Sequence, residues 1–357
     1  MLYIGRPINI FFMWEIQSDW TQLNKFYVKI GDNRYELKYL NGMTECDDKS
    51  VEIQNYQNRS FSITTKEGTC TFLSPKRTLD IHKGESINCV AISGDKKEVL
   101  SGDRSGHLLL THLGTEPIPL PGPTVDFDIE YCCFDKKDNL WFACGGDFRI
   151  YMYSATEYQQ TGTFVGHHSA VTCVQVYEDK LYSASRDSLI CVWDIAKNKK
   201  LSSANMHSPV NDICFTNNGL IYAATENSIR AIDQKTQQGV TSPSVEKGLS
   251  FNTIASYGNE VVVGTDNGDI ISYDLRNTTN LLDEWSWYDS PINKVRFNGD
   301  KLWATTNDGT AACINLHEKQ FNTILGTTSY VPIRDIAIND YTIWTASGEG
   351  ILSNFEF

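Results

Sequence analysis

No apolar run in this 357-residue chain reaches the roughly 18–20 residues that a membrane-spanning helix needs. Its ten cysteines include no C-x-x-C pair, so the spacing of a zinc site is missing. Most of them stand inside apolar, strand-like runs, Cys89 in INCVAI and Cys173 in VTCVQV, where a free thiol packs as a small hydrophobe. A disulfide framework suits short secreted chains better than one this long, so the cysteines read as reduced and intracellular. Basic residues are scarce, 31 against 44 acidic ones, and the formal net charge is -13. That field repels phosphate, which argues against nucleic acid and anionic membrane and favours a basic protein partner. The first fourteen residues are fairly apolar. Arg6 and Pro7 interrupt them and no small-residue cleavage site follows, which argues against a signal peptide. A start at Met13 stays open beside Met1.

What the sequence does have is 25 glycines, 11% aromatic residues and a repeat. One unit is nearly complete: Gly166-His167, then VTCVQV from Val171, then LYSASRD ending at Asp187, then Val192-Trp193-Asp194. It resembles the GH…D…WD pattern of a four-stranded WD-repeat blade. Equivalent apolar residues recur at Ile87, Ile129, Val171, Val210, Phe251, Ile292 and Ile333, in steps of 42, 42, 39, 41, 41 and 41. Turns rich in Gly, Asn and Asp separate the strand-like runs, as tight hairpins require. The expectation is an all-β protein, a seven-bladed β-propeller over 75–357 behind a small β-rich N-terminal domain over 1–74. The sequence ends directly after the third strand of the last repeat, so Arg77–Asp80 is expected to complete that blade. A short helix is expected near Asp19–Phe26, capped by Ser18 or Asp19.

His167, Ser183, Asp187 and Trp193 match the hydrogen-bonded tetrad of a WD blade. A His, a Ser and an Asp together also admit hydrolysis, but nothing nearby offers an exposed nucleophile or an oxyanion hole. His167 already has its tetrad role, and His168 and His207 lack the cysteine or carboxylate spacing of a metal site. Gly145-Gly146 and Gly348–Gly350 open no helix and so read as hairpin turns rather than phosphate loops. No catalytic residue, cofactor or metal is expected.

Charge is more informative. In a propeller the loops entering each first strand and those joining the second and third strands share one face. Those loops hold Glu85, Asp103, Asp126, Asp128, Asp147, Asp187, Glu226, Asp266, Asp289, Asp308 and Glu349, against Lys83, Arg104 and Arg186. Several of the acids are turn-formers. Asp126, Asp128 and Glu130 flank Phe127 with no turn to make. They read as an acidic patch with an apolar anchor, or else as a solvated loop. The expected partner-binding residues are Glu85, Asp103, Arg104, Asp126, Phe127, Asp128, Arg186 and Asp289. Trp285, Trp287 and Tyr288 form a second cluster, read as packing between blades or as a rim hot spot.

Ile16-Gln-Ser-Asp-Trp20, GESINCVAIS from residue 84, SASRDSLICVWD in the third repeat and GTDNGDIISYDLRN in the fifth occur in one order. With SPINKV and VPIRDIAI they resemble the proteasomal ATPase-associated factor family, WD-repeat assembly chaperones of the proteasome regulatory particle. The resemblance spans almost the whole sequence. It departs from the WD pattern at Thr111-His112 and Ile314-Asn315. It implies a non-catalytic protein that holds a base ATPase subunit by its C-terminal region during assembly, in the cytoplasm and also the nucleus; a monomer is expected when the protein is on its own. Asp274-Leu-Arg276 also resembles the D-x-R of substrate receptors for cullin-type ubiquitin ligases, which is the alternative.

Overall fold

The computed structural model describes residues 14–356, apart from 18, 19, 31, 95, 96, 113, 123–126, 136, 138, 218, 227, 237, 238, 241–249, 276–280, 287–289, 316–319, 327–330, 340 and 341. Among the described residues the protein is all-β. From Ile87 onward it runs as four-stranded antiparallel meanders that begin at the seven register residues. The first holds Ile87–Ile92, Glu98–Asp103, Leu108–His112 and Ile118–Leu120. The third holds Val171–Tyr177, Lys180–Ser185, Leu189–Asp194 and Lys199–Asn205. The seventh has three strands of its own, and Arg77–Asp80 pairs antiparallel with Ile351–Glu356 as its fourth.

Burial explains why these runs form these strands. Second strands such as Lys180–Ser185 are buried on both faces beyond their first residue, because each small sheet is sandwiched between its neighbours. Fourth strands such as Lys199–Asn205 alternate, since their outer face meets water. All seven register residues are fully buried. Each pairs with the last residue of its second strand, as Val171 does with Ser185 and Ile333 with Ser347. In every unit the ladder then skips one residue, a β-bulge that turns the skipped side chain out of the pleat.

Side chains tie one unit to the next. The amides of Asn211, Asn252 and Asn293 donate to the carbonyls of Phe251, Ile292 and Ile333, at 2.8, 3.1 and 2.9 Å. Val90 N of the first unit donates to Asp335 Oδ2 of the seventh at 3.0 Å. Ile87, Val90 and Val99 share a core with Trp344, Ala346 and Leu352.

The N-terminal region departs from expectation in its local structure. Among the described residues no helix forms around Asp19–Phe26; turns at Trp20–Gln22 lead into a strand, Lys25–Ile30. Phe26, Val28 and Ile30 alternate inward at period two, and that spacing belongs to a half-buried strand. The two expected caps, Ser18 and Asp19, lie outside the described residues. One sheet joins Trp14–Ile16, Lys25–Ile30, Asn33–Leu40 and Met43–Cys46. The next three strands, Glu52–Asn55, Phe61–Thr65 and Gly68–Leu73, extend the sixth repeat to seven strands by parallel pairing of Thr71 with Thr323. Trp20 packs against Phe26, Phe61 and Phe72 with ring centroids 5.8, 5.3 and 6.4 Å away. A Cβ on Gly326 would lie 2.8 Å from the Trp20 ring, so only glycine admits this approach. Sheet and core therefore both cross the expected 74/75 boundary.

Candidate partner face and the cavity beside it

The third repeat holds the complete tetrad. Trp193 Nε1 donates to Ser183 Oγ at 2.8 Å, Ser183 Oγ lies 2.7 Å from His167 Nε2, and His167 Nδ1 lies 2.8 Å from Asp187 Oδ2. An indole can only donate and a carboxylate only accept, so the serine proton points at Nε2 and the ring keeps its proton on Nδ1. Burial depresses the His167 pKa, while Asp187 pulls the other way. Burial opposes the Asp187 charge, but the His168 N–H and the His167 ring outweigh it and hold that carboxyl below its ordinary range. The serine is wholly buried and its hydroxyl is committed on both sides, so it cannot serve as a nucleophile.

The first repeat holds the same relay without the indole. His82 Nδ1 lies 2.7 Å from Asp103 Oδ2 and its Nε2 lies 2.8 Å from Ser101 Oγ, while Thr111 takes the tryptophan's place. This corrects the expectation for Asp103. It is fully buried and bonded to His82, His107 and the Ser105 N–H, so it holds its turn and cannot meet a partner.

The other described candidates come together. Glu85 accepts from Ser105 Oγ at 2.9 Å, which joins it to the Arg104 turn. Phe127 packs over that turn, with its carbonyl where a Cβ on Gly106 would fall, and remains 42% exposed. Asp128 lies against Gly145-Gly146, and its backbone carbonyl accepts from the Gly146 N–H at 3.0 Å. Arg186 is exposed and reaches Glu130 at 3.5 Å. Asp126 and Asp289 lie outside the described residues, as do Arg276, Trp287 and Tyr288. Trp285 falls in the strand Leu281–Ser286 and Asp274 ends the strand before it.

The bulged residues were missed as a group in the sequence. They are Asn88, Glu130, Thr172, Asn211, Asn252, Asn293 and Arg334, one from each repeat, and all line a single cavity of about 240 Å³. Tyr131, Arg186, Lys294 and Asp335 complete its wall. Burial and then Asp128 push the Glu130 carboxyl up to about 7, against the pull of Arg186 and Arg334. Beside the cavity is a buried charge network. Asp212 Oδ2 accepts from Lys294 Nζ at 2.9 Å and from Thr253 Oγ1 at 2.9 Å. Asp335 Oδ1 accepts from Arg296 Nη2 at 3.5 Å. Lys294 Nζ stands 4.7 Å from the Tyr131 ring centroid. Burial opposes the Asp212 charge, but Lys294 and Arg296 hold its carboxyl below the ordinary range. The available signal for this network was a charged residue at the third place of three apolar first strands, in VNDICF, INKVRF and IRDIAI.

Residues 73–110 and 158–194 match the WD domain, G-beta repeat family. This is a protein with WD40 repeats. Its relatives include telomerase protein component 1 of Rattus norvegicus, 31% identical over 130 residues, which are 36% of this sequence and 5% of that one. Eukaryotic translation initiation factor 3 subunit I of Drosophila mojavensis is 23% identical over 199 residues, 51% of this sequence and 58% of the relative. The transcription factor unc-37 of Caenorhabditis elegans is 26% identical over 160 residues, 43% of this sequence and 26% of the relative. The match therefore spans less than two thirds of each. WD40 repeats are in general scaffolds for protein–protein contact rather than enzymes, and the last two names are a translation factor and a transcription factor.

Proposed function

We propose that this protein closes into a seven-bladed propeller and acts as a non-catalytic chaperone for a proteasome regulatory-particle ATPase subunit. On this reading it holds the C-terminal region of the ATPase during base assembly. The observation that carries the reading is the surface run from Glu85 through the Arg104 turn, Phe127 and Asp128 to Arg186, with an exposed aromatic ring among acids. An apolar anchor within a charged rim suits a basic protein segment. The net charge of -13 supports the same sign of partner. None of the relatives named above is a proteasome factor, so the identity of the partner rests on the family resemblance. Trp20 of the family-like opening motif anchors the N-terminal sheet to the sixth repeat, which gives that motif a structural reason to persist. Residence in cytoplasm and nucleus belongs to the same reading.

Affinity purification of the tagged protein with mass spectrometry tests it. One or two base ATPases without the core particle are expected. A cullin adaptor without ATPases would overturn the reading and favour Asp274–Arg276 instead.

A further inference from the structure

Five of the seven bulged residues are used up in holding the repeats together. The amides of Asn88, Asn211, Asn252 and Asn293 and the hydroxyl of Thr172 each donate to a carbonyl of the following unit. Glu130 and Arg334 break this pattern: they are the charged members of the set. Arg186 joins them from the turn after Lys180–Ser185.

The cations are not equally committed. Lys294 is bonded to Asp212 at 2.9 Å, and Asp335 is occupied by the N–H groups of Val90 and Ile336 and by Arg296. Arg334, by contrast, has an Nε that is buried with no hydrogen-bond partner. Arg186 has only the long 3.5 Å contact to Glu130 and stays 55% exposed. A buried donor without a partner is costly, and the same side chain lines the cavity wall. Two guanidinium groups beside one cavity are the usual means of gripping a planar oxyanion. At about 240 Å³ the cavity is smaller than the ~300–1,000 Å³ of small-molecule sites, so a single side group or peptide end fits and a nucleotide does not.

We propose that this cavity is a carboxylate-binding site in which Arg334 and Arg186 grip a Glu or Asp side chain, or the terminal carboxylate, of a bound protein. The site adjoins the acidic run that Proposed function uses and shares Arg186 with it, but it holds whether or not the partner is an ATPase. Glu130 is the opposing charge. Its raised pKa means that it brings less than a full negative charge to the cavity near neutral pH.

Ligand-observed NMR with three short glycine peptides tests the site on the full-length protein. One peptide has a central glutamate and capped ends, one a free C-terminal carboxylate and no charged side group, and one a central lysine with capped ends. Binding of either carboxylate peptide at millimolar concentration is expected, and which one binds names the source. Arg334→Gln is expected to weaken it at least tenfold, the loss of one charge-assisted bond. Arg186→Gln, in an exposed turn, gives the same reading should the first variant fail to fold. The lysine peptide is expected not to bind. Failure of both carboxylate peptides, preference for lysine, or full binding by a folded Arg334→Gln, Arg186→Gln double variant would overturn the proposal.

Discussion

Trp193 ties a whole repeat together: its indole bonds Ser183, and its rings pack between Phe164 and His167, 5.7 and 6.0 Å away. Trp193→Ala is expected to cost roughly 3–5 kcal/mol in denaturant unfolding, from the cavity it leaves. A second residue-scale prediction concerns Glu130, whose carboxyl sits near 7 in the fold against 4.5 ordinarily. The native state then holds a proton that the unfolded state has released, so stability falls as pH rises from about 4.5 through about 7. Glu130→Gln removes that penalty. Its stability relative to wild type should grow across this window and level off above it, by about 3 kcal/mol at most, read from thermal melts at pH 5 and pH 8. At this scale the complete tetrad was legible, since Gly166-His167, Asp187 and Trp193 spell it out. Asp103 was not: with Thr111 in the tryptophan's place its repeat loses part of the signature, and a buried acid reads as a loop acid. The bulged residues were illegible because no residue type announces a bulge. Only the ladder shows which residue is skipped.

At the scale of elements, period and step held the information. Fully buried register residues at steps of 39–42 residues mark where first strands begin. The short alternation of Lys25–Ile30 was overlooked beside a capping signal at Ser18 and Asp19. Parallel pairing of Thr71 with Thr323 links residues far apart in sequence, and alternation cannot reveal such a partner. Trp20 is the hinge of this arrangement. Trp20→Ala should destabilise the N-terminal sheet by roughly 3–5 kcal/mol. Hydrogen exchange should then speed up in Lys25–Ile30 and Phe61–Thr65, while the tetrad strands Lys180–Ser185 and Leu189–Asp194 keep their protection. Uniform loss of protection would contradict local anchoring.

Across the whole molecule, the network of Asp212, Lys294, Arg296 and Asp335 joins the fourth, sixth and seventh repeats, and Asp335 reaches on to Val90 of the first. Burying such charges favours the fold only while each keeps its partner. Asp212→Asn strands Lys294, which is 8% exposed, and should cost about 3–5 kcal/mol. Asp212→Leu with Lys294→Met should recover much of that loss, measured by denaturant unfolding. Net charge was legible at this scale. The network was not, because it assembles from single residues whose bonded pairs lie 39 and 82 positions apart. The claim that the acidic run holds a basic protein segment is tested most directly by calorimetry with the C-terminal region of the recovered ATPase. Phe127→Ala with Asp128→Lys should abolish or strongly weaken binding at an unchanged melting temperature, and wild-type affinity should fall as salt screens the exposed charges. Equal affinity of variant and wild type at every salt concentration would contradict the account.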